Sequence, residues 1–161
     1  MPVVRQGKNR FPKDERLHHR SLVESLFRVG KNFYEFPFRI TWRILSPEEL
    51  EKNFRNTVPP HIGRVQMLVT VPKKKRKKAV DRVLMRRRIR EAYRLNRHAL
   101  SDMIAECGDI ASLDIAFVYI HDKNLQYNVV EVKMKAVISK LQEKINKIKE
   151  KRDVSNIDIY N

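Results

Sequence analysis

The chain has 161 residues, of which 42% are hydrophobic and 34% are charged, and its formal net charge at pH 7 is +16. This length supports one domain with a real core, and a single cysteine excludes an internal disulfide or a zinc site built on several thiolates. No run approaches about 20 apolar residues, and no signal peptide is recognisable, so we expect a cytoplasmic protein without a membrane span.

The first predicted element is a short helix over residues 21–29. Ser21 and Glu24 have the spacing of a capping box, in which each side chain hydrogen-bonds the other residue's backbone N–H. Apolar residues recur at helical spacing between them and Gly30, a residue type that commonly follows the end of a helix. The sequence therefore predicts an irregular N-terminal segment followed by a helix with a single apolar side.

Strands are predicted on both sides of a loop. Residues 33–45 read as strand broken near Pro37, because apolar and polar side chains alternate there and place a basic outer face opposite the core. Residues 46–63 contain three prolines and a glycine, and we expect them to form a loop. The next strand is predicted over 64–71, where the apolar content rises again.

A basic helix is predicted over about 79–103, within the most basic part of the chain. The segment 73–97 contains thirteen Lys or Arg residues and only two acids. At about 100° per residue, apolar residues share one sector of the helix and arginines share another. These arginines are Arg86, Arg87, Arg90, Arg94 and Arg97. Because arginine binds phosphate oxygens in pairs, and because solvated faces usually mix charges, this face favours a nucleic-acid partner over a solvated surface.

The last third of the chain predicts a buried strand and a final helix. Residues 112–121 form a nearly continuous apolar run, as buried strands do. A helix is predicted over about 128–150 from apolar residues at helical spacing, and 151–161 are expected to be a disordered or frayed tail. We therefore predict a single RNA-binding domain over residues 1–150.

The basic segment resembles the signature of a known family. Lys73-Lys74, then Lys78 and Arg82, then the run 86–94 resemble the motif of the bacterial ribonuclease P protein component. The predicted helix over 21–29 and the strands are similar to that family's elements in the same order. The resemblance covers nearly the whole chain.

This resemblance implies a fold and a function. The fold is α+β, an α-β-β-β-α-β-α two-layer sandwich with a left-handed β-α-β crossover, similar to a domain of a ribosomal protein. The function is that of the accessory protein subunit of an endoribonuclease, which binds ribonuclease P RNA and the 5′ leader of precursor tRNA. The RNA is expected to carry the chemistry and to require Mg²⁺, while the protein binds no cofactor or metal and supplies no catalytic residue.

The resemblance also implies two groups of site residues. The first group is expected to contact the catalytic RNA and comprises Lys73, Lys74, Lys78, Arg82, Arg86, Arg87, Arg90 and Arg94. The second is expected to line a cleft for the single-stranded leader, which needs basic walls and a flat surface for stacking, and comprises Arg16, Phe27, Thr41 and Arg43. The sequence leaves open whether Phe27 lies in that cleft or in the core.

Two adjacent positions depart from the family motif. Val83 and Leu84 stand where the family has Asn and Arg. In one interpretation, Arg88 and the lysines among residues 75–78 supply the missing charge. In the other, Val83 and Leu84 pack on bases or on a neighbouring strand.

Two other function classes remain open from the residues alone. A general or ribosomal RNA-binding protein has the same composition. A nuclease acting alone needs carboxylates that hold Mg²⁺, and four acids follow the basic helix, although a solvated loop that balances charge explains them better. They are Asp102, Glu106, Asp109 and Asp114. Cleavage by the protein without RNA distinguishes the nuclease, and a lack of preference for ribonuclease P RNA distinguishes the general binder.

Overall fold

The computed structural model describes residues 11–160, with side chains described through residue 154. The elements in chain order are a 3₁₀ helix Lys13–Glu15, α1 Arg20–Val29, β1 Lys31–Glu35, β2 Phe38–Leu45, α2 Pro47–Lys52, β3 Val65–Thr70, α3 Ala79–Asn96, α4 His98–Ala105, β4 Ser112–Tyr119 and α5 Tyr127–Tyr160. This order contains the predicted α-β-β-β-α-β-α pattern and adds two short helices, α2 and α4.

The four strands form one mixed sheet in the order β1-β2-β4-β3. The pairs β1–β2 and β2–β4 are antiparallel, whereas β3 and β4 are parallel. A parallel pair requires a crossover, which α3 and α4 supply. The α+β class is confirmed, and the left-handed sense of this crossover stays a prediction of the resemblance.

The main core lies between one face of the sheet and helices α3, α4 and α5. Phe117 on the central strand β4 occupies its middle, with its ring centroid 5.6 Å from that of Tyr93 on α3 and 6.0 Å from that of Phe38 on β2. Both contacts are edge-to-face, the arrangement that aromatic quadrupoles favour. This packing fixes α3 against the sheet and turns its remaining sides outward.

The second face of the sheet is only partly covered, by α1 and α2. Leu22 and Leu26 from α1 and Leu50 from α2 pack there with Leu45 and Ala116 of the sheet. The molecule is thus a two-layer sandwich whose outer sheet face carries a small additional helical cover. This cover determines which residues of β2 reach the surface.

Helix α1 begins and ends close to the predicted residues, but by different means. His19 precedes it without a side-chain cap, and Glu24 pairs instead with Arg20 at 2.8 Å, so the predicted capping box is wrong. Gly30 follows the helix in extended conformation. A Cβ there would collide with the Leu26 carbonyl and lie 2.9 Å from Thr41 Cγ2, so close approach to the sheet is what demands glycine.

Two helix boundaries differ from the sequence prediction. The expected loop 46–63 contains α2, which Ser46 and Glu49 cap reciprocally. The basic helix ends at Asn96 rather than continuing to 103. Side chains occupy carbonyls near this end: Asn96 donates to the Ala92 oxygen at 2.7 Å and Arg97 to the Arg94 oxygen at 2.6 Å. The Arg97 side chain thus occupies the Arg94 carbonyl, which the backbone N–H of residue 98 would use in a longer helix.

The final helix is longer than predicted. Helix α5 continues past residue 150 to Tyr160, because no proline or glycine interrupts residues 127–160 and Arg152 ties it to Asp109 at 3.2 Å. The predicted helix end at 150 is therefore wrong, and Asn161 lies outside the described residues. No helix in the described part of the chain is apolar enough over sufficient length to cross a membrane.

Candidate nucleic-acid interface

A lysine-rich loop connects β3 to the start of α3. Its exposed cations include the predicted Lys73, Lys74 and Lys78. Arg76 anchors the loop, because it pairs with Asp81 at 2.9 Å and donates to the Asp122 carbonyl. Arg82 Nη1 donates to the carbonyls of Arg76 and Lys77 at 2.9 and 2.7 Å. Arg82 therefore braces the loop and holds the exposed lysines in place beside the helix.

Three guanidinium groups gather along α3 and the segment beside it. Residues 11–17 run along the outer edge of β3, where Arg16 forms a bridge with Met67, and this brings Arg16 close to Arg86 and Arg90. The pKa of Arg90 is lowered because the guanidinium is partly desolvated and because Arg86 and Arg16 lie near it. The fold thus holds three positive charges close together, although their repulsion destabilises it.

No carboxylate in the described part of the chain pairs with these guanidinium groups. Among the described residues, no carboxylate lies within ion-pair distance of Arg86, Arg87 or Arg90. We call Arg16, Arg86, Arg87 and Arg90 the arginine face. An uncompensated cluster of forked donors is suited to phosphate groups, which relieve the repulsion and accept paired hydrogen bonds.

The other arginines of the basic helix have intramolecular partners. Arg94, a predicted RNA contact, pairs with Glu91 at 2.6 Å. Arg97 is only 5% exposed and pairs with Glu15 at 3.0 Å, so its predicted place on the exposed arginine sector is wrong. This ion pair ties the segment before α1 to the end of α3 and thereby positions Arg16.

Of the two positions that depart from the family motif, Val83 lies in the sector of α3 that carries the arginine face. Val83 is 50% exposed and Leu84 is half-buried. Arg88 is turned away and donates to the Leu125 carbonyl, so it does not replace the missing charge on this face. The exposed lysines of the preceding loop remain as the candidate source of that charge, and contact of Val83 with a base remains the other interpretation.

The four predicted cleft residues do not share one surface. Arg16 lies with the arginine face, because its bridge partner Met67 points into the main core on the α3 side of the sheet. Thr41 is 2% exposed and donates to Asn32 Oδ1 at 2.6 Å. Arg43 donates to Ser25 Oγ beneath α1 and lies 3.5 Å from Glu49. The predicted outward exposure of Thr41 and Arg43 is wrong because α1 covers this part of β2.

A second group of candidate residues lies on α1, β1 and β2, outside the arginine face. Phe27 is 44% exposed and projects about 200° around the helix from Ser25, hence away from Arg43. Arg39 lies four residues before Arg43 on β2, and its cross-strand partner Tyr34 is 67% exposed. The Nε atom of Arg39 is buried and has no hydrogen-bond partner within the described residues. We call Phe27, Tyr34 and Arg39 the groove.

Sequence reasoning included Phe27 but missed Tyr34 and Arg39. The alternation in β2 did place Arg39 on the outer face, and that signal applied equally to Thr41 and Arg43. Helix α1 covers one end of β2 and leaves the other end open. The alternation of side chains does not show which end is covered. Tyr34 gave a weaker signal, because a single exposed tyrosine on an edge strand is common.

The acids after the basic helix are dispersed. Asp114 is buried, accepts a hydrogen bond from Ser112 at 2.9 Å and lies opposite Arg43 in the sheet, while Asp109 pairs with Arg152. Burial raises the pKa of Asp114 to about 6, although Ser112 and Arg43 oppose the shift. Within residues 11–154, no group of three or more His, Cys, Asp and Glu side chains is arranged to hold a metal ion. Asp109 and Asp114 therefore have structural partners, while Asp102 and Glu106 are exposed on and after α4.

The comparisons with known proteins agree with this architecture. The profile of the family described as "Ribonuclease P" matches residues 11–145. Two relatives, each named "Ribonuclease P protein component" and each from a strain of Porphyromonas gingivalis, are 34% identical to this chain over 119 residues, covering 74% of this chain and 77% of the relative. The matched residues include the lysine loop, the arginine face and the groove. This chain therefore belongs to the bacterial ribonuclease P protein family.

Proposed function

We propose that this protein docks on the catalytic RNA of ribonuclease P through the arginine face and the lysine loop. The observation that carries the proposal is the gathering of Arg16, Arg86 and Arg90 without a carboxylate among the described residues. Structured RNA is recognised mainly through phosphates and shape, which such a cluster suits. Binding is therefore expected to weaken steeply as the salt concentration rises.

The protein is proposed to assist removal of the 5′ leader of precursor tRNA without doing the chemistry. Two of its four candidate metal-binding acids are already engaged, because Asp114 is buried and hydrogen-bonded and Asp109 is ion-paired, and the described residues contain no metal-binding cluster. We therefore assign bond cleavage and the Mg²⁺ that it requires to the RNA subunit. The role left to the protein is to bind and orient two RNA molecules.

The groove is the proposed site for the single-stranded leader. Two exposed aromatic rings, Phe27 and Tyr34, offer surfaces on which bases stack, and Arg39 offers a cation for the backbone. Stacking tolerates any base, as a subunit that serves many precursor tRNAs requires. Tyr34 and Arg39 lie on the sheet face opposite α3, which supports the proposal that leader and catalytic RNA bind on different sides of the protein.

The Phe27→Ala variant is expected to weaken binding of precursor tRNA with a long leader and to leave binding of leaderless tRNA unchanged. One lost stacking contact is worth about 1–3 kcal/mol, or roughly 5- to 150-fold in affinity. Affinities of the reconstituted holoenzyme for the two substrates measure this difference. Val29→Ala is a matched control, because Val29 is also exposed on α1. Equal losses for both substrates would remove the groove from this account.

A further inference from the structure

A cavity of about 420 Å³, here called the histidine cavity, lies where the segment before α1 meets the loop between α2 and β3. Half of the residues that line it are histidines. The lining residues are Lys13, Asp14, His18, His19, Pro60 and His61. Sites for small ligands usually have volumes of about 300–1,000 Å³. The histidine cavity is therefore large enough for a ligand, and the proposed function does not use it.

Two of the histidines form a fixed pair of rings. The His18 and His19 ring centroids lie 4.3 Å apart with 32° between the ring planes, and His19 packs edge-on against Phe54 at 5.6 Å. His18 Nδ1 donates to the Arg16 carbonyl oxygen at 2.9 Å. The pKa of His19 is lowered because burial penalises its charged form and because His18 lies beside it, so this ring is uncharged at neutral pH. The exposed His18 ring is thus held in place as a flat surface.

The polar groups of the histidine cavity suit a nucleobase better than an ion. Within residues 11–154, no group of three or more His, Cys, Asp and Glu side chains is arranged to hold a metal ion. The cavity lining carries one acid, Asp14, and one lysine, Lys13, so it offers a free phosphate ion little net charge. An unpaired base needs a flat ring to stack on and polar partners for its edge, and the cavity offers both.

The histidine cavity adjoins the arginine face. A neighbouring depression shares two lining residues with it. The depression is lined by Phe11, Pro12, Lys13, Arg16 and His18. The Arg16 guanidinium there is 5.5 Å from the ring centroid of Phe11, and it lies near Arg86 and Arg90. An RNA strand with a phosphate on Arg16 therefore brings its neighbouring nucleotide to the cavity.

We propose that the histidine cavity binds one unpaired nucleotide of ribonuclease P RNA, whose base stacks on the His18 ring while an adjacent phosphate lies on Arg16. The inference rests on the proposed function, because it supposes that the arginine face docks on this RNA. Unpaired bases are the part of an RNA that aromatic side chains recognise by stacking. Precursor tRNA is a poorer source of the nucleotide, because its leader is assigned to the groove, whereas this cavity adjoins the arginine face.

The test separates the His18 ring from its hydrogen bond. His18→Phe keeps an aromatic ring and loses the bond to the Arg16 carbonyl, whereas His18→Asn keeps a donor and loses the ring. Phe36→Ala is a matched control, because Phe36 is an exposed aromatic residue in the turn between β1 and β2. Arg86→Ala with Arg90→Ala serves as the reference for the arginine face. Each protein is reconstituted with ribonuclease P RNA, with and without precursor tRNA. Binding titrations at several salt concentrations and chemical probing of the bases are the readouts.

The His18→Asn variant is expected to bind ribonuclease P RNA roughly 5- to 150-fold more weakly, as the loss of one stacking contact implies. The slope of log affinity against log salt should not change, because stacking releases no counterions. The variant should also expose one unpaired base of this RNA that the natural protein protects. His18→Phe and Phe36→Ala should retain both the affinity and the protection.

Equal binding by His18→Asn and His18→Phe would overturn the inference, and so would a protected base that lies in precursor tRNA. In both cases, a weakened arginine reference with a reduced salt slope would leave the proposed function standing. An arginine reference that binds as tightly as the natural protein would overturn the proposed function and the inference with it.

Discussion

Replacing Arg86, Arg87 and Arg90 together by alanine is expected to remove most of the affinity for ribonuclease P RNA. Each lost phosphate contact lowers the slope of log affinity against log salt by about one, so the triple variant should lose about three. None of these side chains has an ion-pair partner among the described residues, so the fold should survive the substitutions. Binding titrations at several salt concentrations measure both quantities.

A matched control variant distinguishes the effect of the arginine face on RNA binding from the effect of the total positive charge. The control variant replaces three other arginines, which are exposed and distant from α3. They are Arg20 and Arg28 on α1 and Arg55 after α2. Their triple alanine variant removes the same charge and is expected to keep nearly the full slope. Equal losses in the two triple variants would show that the RNA responds to net charge and not to the arginine face.

The second prediction concerns how the stability of the folded protein depends on pH. This dependence arises from Asp114. Burial raises the pKa of this carboxyl from 3.8 to about 6. The folded state therefore binds the proton more tightly than the unfolded state does. The resulting stabilisation is complete below about pH 4 and is lost as the pH rises to about 6, which corresponds to about 3 kcal/mol.

The Asp114→Asn variant is expected to be more stable than the natural protein above pH 6, by up to about 3 kcal/mol, with the difference vanishing near pH 4. Asp114 Oδ2 and Gln66 Oε1 are buried acceptors without partners in the described part of the chain, on paired residues of neighbouring strands. An amide at position 114 can donate where the carboxylate cannot. Urea unfolding at both pH values measures the difference. A pH-independent difference would contradict the assigned cause.

Much of the fold could be predicted from periodicity, because each long element has one consistently apolar side. The apolar run in β4 and the helical spacing in α5 are examples, and both elements appear where expected. The boundaries were less predictable. At the end of α3 the Arg97 side chain takes the Arg94 carbonyl, which a longer helix would use for a backbone hydrogen bond, and a helical wheel does not show this.

The two surfaces differ in how far the sequence could define them. Arg86, Arg87 and Arg90 follow from helical spacing within one element, and the structure groups them as predicted. Arg16 joins them only because residues 11–17 run beside β3, a contact between distant parts of the chain. The groove depends on which half of β2 lies under α1, and strand alternation carries no information about that cover.

The most direct test of the central claim is reconstitution of the enzyme. The protein is mixed with its cognate ribonuclease P RNA, and cleavage of precursor tRNA at the 5′ end of the mature sequence is followed at low Mg²⁺ concentration. This account predicts that the protein strongly stimulates cleavage by the RNA and cleaves nothing without it, and that the Arg86, Arg87 and Arg90 alanine variant loses the stimulation. Cleavage that proceeds equally well with and without the protein would contradict the proposed function.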